Sequence, residues 1–230
     1  MWTTALYEPK PFSQFLRDLR WKQGEHMLIA APTQAGKSTL ASYLVARRGQ
    51  VVVLAAKGKD DNLRRRYADF AKITDWPPPR DKSKVLLWPT RQATAALTMK
   101  AQQDAFKKCL DYVNMRGAWC VVDDESHWMS QFLRLDKEIA ILHHQGSSQG
   151  VTMVNLTQRP SWIPKIIYSS SSHVFIGNTS DRDDLKSLSN LGGVDAKEVA
   201  ETVQRIGRHD LLYINPMGDG KPCVINAGPA

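Results

Sequence analysis

This 230-residue sequence predicts an α/β fold: a mostly parallel central sheet, helices on both faces, and a β-hairpin near the C-terminus. Three observations predict it. Short apolar runs, each the length of one buried strand, alternate with stretches of helical period along most of the chain. The first of these runs enters a loop, Ala31-Pro-Thr-Gln-Ala-Gly36-Lys37-Ser38, that opens into a helical pattern. Two late apolar runs, Leu211–Asn215 and Pro222–Asn226, flank Met217-Gly-Asp-Gly220, a hairpin spacing that spans about 210–227.

Taken in order, residues 1–25 read as an extended arm with a short helix around Pro11–Trp21, ahead of a single domain over 26–230. His26–Ala31 is the first buried strand, and Ser38–Ala46 is the helix after the loop, ended by Gly49. Gln50–Ala56 is a second strand. Lys57–Asp61 turns the chain into a charged helix that carries Arg64, Arg65 and Arg66, and Trp76-Pro-Pro-Pro-Arg80 breaks the pattern. Val85–Trp88 is a short strand. From Arg91 to Arg116, Ala95, Met99, Phe106, Leu110 and Val113 recur at roughly helical spacing until Gly117 stops the helix. Ala118–Val122 is a strand, 131–145 a helix, 146–150 a loop, and Val151–Thr157 and His173–Gly177 two more strands. Helices are expected over Asp181–Leu191 and Asp195–Val203.

Composition narrows the class only a little. The hydrophobic share of 42% and charged share of 23% are ordinary for a globular protein. A net charge of +8 and a pI near 9.4 favour an anionic partner such as nucleic acid. Cys109, Cys120 and Cys223 are odd in number, far apart and without a C-x-x-C pair, which argues against a disulfide framework or a zinc site. No apolar run approaches the length of a membrane span, and Met1–Lys10 lacks the pattern of a secretory signal.

The chemistry-bearing motifs sit where such a sheet gathers ligands. Residues 31–38 match G-x-x-x-x-G-K-[ST], the phosphate-binding P-loop, at every position but the first, where Ala31 replaces Gly. Ala lacks glycine's freedom at positive φ, so the turn must pass through an allowed region there. Backbone N–H groups of Pro32-Thr33-Gln34-Ala35-Gly36-Lys37-Ser38-Thr39, apart from that of the proline, together with the positive end of the helix, would wrap a nucleotide's phosphates. Lys37 would reach the β- and γ-phosphates, and Ser38 would hold Mg²⁺. The Ala118–Val122 strand delivers Asp123-Asp124-Glu125 at its C-terminal end, as a Walker B element does. Asp124 is the first choice for the metal shell and Glu125 for the base that activates water, while the register leaves Asp123 open for the metal role. Gln158 ends the next strand, fixed by Pro160, where it can contact the γ-phosphate or the attacking water. The alternative for Gln158 is a polar strand terminus without a role.

Thr157-Gln158-Arg159-Pro160-Ser161 resembles the T-Q-R-P-S sequence of FtsK-type DNA translocases. The residues C-terminal to it are similar in order and spacing: a short helix, the strand around His173, then Ser180-Asp-Arg-Asp-Asp-Leu185, and Ile206-Gly-Arg-His-Asp-Leu-Leu-Tyr213 before the last strands. The likeness covers roughly residues 26–215. It implies a RecA-like (ASCE) P-loop sheet with one extra strand between the P-loop and Walker B strands, an ATPase of the FtsK/HerA superfamily using ATP and Mg²⁺, and a ring, usually hexameric, around double-stranded DNA. It matches Lys37 and Ser38 to the P-loop pair, Asp124 and Glu125 to the Walker B pair, and Gln158 to the sensor. It also implies an arginine contributed by a neighbouring subunit, for which Arg182 is the first candidate and Arg205, Arg208 and Arg159 the others. The anchor, extra motor subdomain and DNA-reading domain of FtsK itself do not fit in this length. The likeness is therefore strongest to the genome-packaging ATPases of tailless icosahedral viruses with internal membranes. It implies a capsid-vertex or portal-like partner and a place in the host cytoplasm, at the virion vertex, or both.

Candidates for gripping DNA phosphates are Lys57 and Lys59, Arg64–Arg66, Lys82 and Lys84, and Lys107 and Lys108, each of which could equally be a solvated face. His127, His143 and His144 do not make a metal set with a third ligand at helical spacing. His127 is expected to make an ordinary polar contact, and Trp76 and Trp88 to pack the Pro-rich loop. Two other functions share the P-loop. A small-molecule or nucleotide kinase would need an acceptor pocket in place of the Glu125–Gln158 pair, and a nucleotide-gated assembly protein would need no hydrolysis.

Overall fold

The computed structural model describes residues 7–189, 191, 193–218 and 221–227. Nine strands form one sheet in the order β3-β4-β2-β5-β6-β1-β7-β8-β9. β1 (His26–Ala30), β2 (Val51–Leu54), β3 (Ala71–Ile73), β4 (Lys84–Leu87), β5 (Cys120–Asp123), β6 (Thr152–Thr157) and β7 (Ser171–Ile176) run parallel. β8 (Asp210–Ile214) and β9 (Cys223–Asn226) turn back as an antiparallel hairpin, β8 pairing β7. β6 lies between β1 and β5, which is the extra strand expected between the P-loop and Walker B strands.

The central strands read as continuous apolar runs because both sheet faces are covered. Successive side chains alternate between two cores. Leu28 and Ala30 of β1, Val52 and Leu54 of β2, and Val121 of β5 face one core with α4 (Ala95–Arg116), α5 (Asp136–Gln145), α6 (Lys165–Ser169), α7 (Arg182–Leu188) and α8 (Ala196–Arg205). Met27, Ile29, Val51, Val53, Cys120 and Val122 face the other, filled by Phe15 of α1 (Phe12–Asp18), Leu40, Ala41 and Leu44 of α2 (Lys37–Val45), and Leu63 of α3 (Asp61–Arg66). The arm ahead of α1 lies along β9, where Lys10 N–H donates to the Val224 carbonyl at 2.8 Å.

Three expectations are corrected. β3 was not foreseen, because three residues with an exposed Lys72 at a sheet edge carry no periodic signal. The helix expected over 131–145 is two pieces: a π-helical turn, Trp128–Phe132, and then α5, separated by Leu133–Leu135, whose Leu133 and Leu135 are buried. Only Trp76 packs at the Pro-rich loop, edge-on to Trp119 with centroids 5.5 Å apart, whereas Trp88 joins the opposite core and donates Nε1–H to the Lys57 carbonyl. Met217 and Gly218 of the hairpin turn are described, and residues 219–220 lie outside the described residues.

Candidate nucleotide-binding site

The C-terminal ends of β5, β6 and β1 stand side by side, and each carries one part of the site. Parallel pairing sets Ala30 against Thr157 and Asp123 against Asn155, so the acidic pair, Gln158 and the P-loop emerge on one rim of the sheet. In the loop, Gly36 adopts φ +101° as the N-cap of α2, and a Cβ there would lie 2.7 Å from the Ala227 carbonyl oxygen, so only glycine fits. Ala31 stays in an ordinary backbone region and its N–H donates to the Thr157 carbonyl at 3.1 Å. The room for its methyl comes from across the rim: a Cβ on Gly177, at the end of β7, would sit 2.5 Å from the Ala31 Cβ. The glycine missing from the first P-loop position thus has a counterpart in the adjoining strand.

The polar groups converge in two sets. Ser38 Oγ donates to Asp124 Oδ1 at 3.2 Å, which joins the P-loop serine to the acid expected to serve the metal. Gln158 Nε2 donates to Glu125 Oε2 at 3.0 Å, and its Oε1 accepts from Thr33 Oγ1 at 2.8 Å, so one amide bridges Glu125 to the P-loop. Lys37 Nζ donates to the carbonyls of Ala31 and Pro32. Asp123 faces away from this cluster. It is fully buried at 0% exposure, accepts from Asn155 Nδ2 at 3.3 Å, and also accepts the Glu125 N–H. Of the two aspartates left open by the sequence, Asp124 is therefore the one beside Ser38.

Burial pushes the Asp124 carboxyl up to about 6, against Lys57 and the Ser38 hydroxyl, and pushes Asp123 up to about 7. It pushes the Lys37 ammonium down to about 8, against Glu125 and Asp124. A desolvated carboxylate beside a hydroxyl suits a hard cation that takes oxygen ligands and completes its shell from water and phosphate, which is how Mg²⁺ binds. Among the described residues no cluster of three or more His, Cys, Asp or Glu side chains could hold a metal without such help.

The arginines divide. Arg182 begins α7 and is exposed, as is Arg205 at the end of α8. Arg159 is held within its own chain by Asp181 and Asp184 at 2.7 and 2.8 Å. Arg208 donates to Gln34 Oε1 on its own P-loop. His127 makes no polar contact through Nδ1, contrary to expectation, and instead packs on Trp162 and Phe132. Sequence reading also missed Asn155, although a lone Asn inside an apolar strand signals a buried polar group that must find partners.

The sheet order, the P-loop and the acid-tipped strand one place beyond β6 define a RecA-like P-loop NTPase fold. More narrowly, the fold is similar to that of solved packaging, secretion and conjugation ATPases. The genome-packaging NTPase B204 of Sulfolobus turreted icosahedral virus 2, solved with sulfate, superposes with a TM-score of 0.64 at 15% identity, over 90% of this chain and 98% of that one. The cytoplasmic domain of the Thermomonospora curvata type VII secretion ATPase EccC gives 0.57 at 16% identity, over 90% of this chain and 26% of that one. The pCW3 conjugation coupling protein TcpA, with ATPγS, gives 0.52 at 16% identity, over 90% of this chain and 60% of that one. No protein-family profile and no curated protein sequence matches the chain.

Proposed function

We propose that the chain is a Mg²⁺-dependent ATPase that drives double-stranded DNA, as a viral genome-packaging motor does. The observation that carries the hydrolytic half is the Thr33–Gln158–Glu125 bridge beside the Ser38–Asp124 pair, all on one rim of the sheet. In this reading the P-loop amides and Lys37 bind the triphosphate, and Ser38 and Asp124 hold the ion. Bound Mg²⁺ would neutralise charge on the β- and γ-phosphates. Glu125 accepts the proton of the water that attacks the γ-phosphate in line, and Gln158 fixes that water's position against the P-loop. Catalysis comes from placement and charge stabilisation, without a covalent intermediate.

The DNA half is supported by the +8 charge and by the fold shared with a genome-packaging NTPase and a conjugation coupling protein. Ring assembly, with Arg182 as the residue lent to a neighbour's site, belongs to the same proposal, as do a capsid-vertex partner and action in the host cytoplasm. No described helix is long and apolar enough to cross a membrane.

The test is ATP turnover of the purified protein with and without duplex DNA over a range of protein concentrations. Turnover stimulated by DNA and rising more than linearly with protein is expected. Glu125→Gln should lower it by about 10²- to 10⁴-fold while nucleotide still binds, the usual worth of a positioned base. Turnover by Glu125→Gln equal to the wild type overturns the hydrolytic assignment, and transfer of phosphate to a small acceptor in place of water selects the kinase.

A further inference from the structure

Arg208 is the residue that this scheme does not use and whose placement calls for a use. It lies in the turn between α8 and β8, and four hydrogen bonds fix that turn. Gly207 N–H donates to Asp210 Oδ2 at 2.9 Å, Asp210 N–H to the Gly207 carbonyl at 3.1 Å, Asn226 Nδ2 to Asp210 Oδ1 at 2.8 Å, and Ala227 N–H to the His209 carbonyl at 2.9 Å. Just before it, Asn178 Nδ2 holds the Ile206 carbonyl at 2.9 Å. The same Ala227 presses its carbonyl against Gly36. A turn stapled to both β8 and β9 is thereby set against the P-loop.

From this turn the Arg208 side chain reaches Gln34, whose φ of +64° puts it in the left-handed region. Among the described residues no carboxylate lies within ion-pair distance of Arg208, whereas Arg159 is neutralised by two. A full positive charge is thus held, by a neutral amide alone, at the edge of a cradle built for a polyanion. A guanidinium delivers planar, paired donors to phosphate oxygens and stays charged at any physiological pH.

We propose that Arg208 binds the phosphate chain of the nucleotide in its own subunit, moving from the Gln34 amide to phosphate oxygens, and is therefore a resident nucleotide-binding residue and not one lent to a neighbour. This rests on the nucleotide reading of the P-loop above. Gln34 serves as the resting partner that keeps the side chain folded toward the loop.

The test is equilibrium binding of a fluorescent, non-hydrolysable ATP analogue with magnesium chloride, repeated across a range of protein concentrations. Arg208→Ala should weaken binding by about 10- to 100-fold, the worth of a charged hydrogen bond. Arg208→Lys should recover part of the loss, and Lys197→Ala, which removes an exposed charge from α8 away from the P-loop, should bind like the wild type. The loss should be the same at every protein concentration. Wild-type affinity in a folded Arg208→Ala overturns the proposal and leaves the nucleotide reading standing. A loss that emerges only as subunits associate makes Arg208 a neighbour's residue and also overturns it. If Arg208→Ala does not fold, Arg208→Lys decides alone: a weakened lysine variant supports the proposal and an unchanged one overturns it. A wild-type protein that binds no nucleotide removes both claims together.

Discussion

The pairing of Ala31 with Gly177 can be tested by moving one methyl group across a gap. In Gly177→Ala the new Cβ would start 2.5 Å from the Ala31 Cβ, whereas ordinary contact begins at 3.4 Å. Neither side can slide away cheaply: Ala31 N–H is bonded to the Thr157 carbonyl and Gly177 N–H to the Ala30 carbonyl at 2.8 Å. Overpacking of this kind costs about 1–3 kcal/mol. The φ at Gly177 is not in the left-handed region, so Ala also narrows the unfolded ensemble and returns about 0.4–1 kcal/mol. The net expectation is a loss of about 1–2 kcal/mol, read as a fall in melting temperature of about 2–8 °C for a chain of this size. Ala31→Gly alone, which restores the usual P-loop residue, should cost about 1.5 kcal/mol through the lost buried methyl and the added chain freedom. In the double variant the 2.5 Å contact is gone and only the tight approaches to the Ala31 Cα at 3.1 Å and Pro32 Cδ at 3.2 Å remain, which offset the entropic return of the new alanine, so stability should lie near that of Ala31→Gly and not at the sum of the two losses, a coupling of about 1–2 kcal/mol in a thermal or urea denaturation cycle. Single effects that add to within about 0.5 kcal/mol would refute the claim that Gly177 makes room for Ala31.

Two more expected outcomes rest on charge. His143 and His26 lie with ring centroids 4.7 Å apart, tilted at 57° to each other, in the core, and burial pushes their imidazoles down to about 3 and about 4. Their folded values lie below the unfolded value of about 6.5, so the stability they contribute is complete above that pH and drains away as pH falls toward 4 and then 3. The melting temperature should drop steeply over that window, and His143→Gln, which removes one of the two titrations, should flatten the slope by about one proton; an unchanged slope refutes the assignment. For DNA, Lys107 is engaged by Asp111 and Glu138 and Lys108 by Asp75, whereas Arg64 and Arg65 face no carboxylate within ion-pair distance among the described residues. Replacing Arg64 and Arg65 by Ala should therefore weaken duplex binding and reduce the salt slope by about 1.8, while Lys107→Ala with Lys108→Ala should change it little. The reverse pattern in a salt titration would place the DNA on the other face.

Most of the sheet was legible because β1, β2, β5, β6 and β7 are largely buried on both sides and so read as short, mainly apolar runs. The short edge strand β3 and the π-helical turn at Trp128–Phe132 were not, since neither carries a repeat of period two or 3.6. The site divides in the same way. The types and order of Lys37, Ser38, Asp124, Glu125 and Gln158 could be read from motif context. Which aspartate meets Ser38 could not, because it depends on the one-residue register of β5 against β6, and that is settled by Asn155 taking Asp123 into the core. The Arg208–Gln34 contact joins residues 174 positions apart, beyond any local signal.

The two ends of the sheet bear on how copies of this chain can meet. At one border stands β3, three residues long; at the other, the arm at Pro9 and Lys10 already occupies backbone groups of β9. Neither border offers a long open ladder for another molecule to extend, so continuous strand-to-strand stacking is a poor route to a ring. In the ring proposed above, subunits would therefore abut through helices and loops, with the loop-lined upper margin of each sheet free to close against the next copy while the strands inside stay undisturbed.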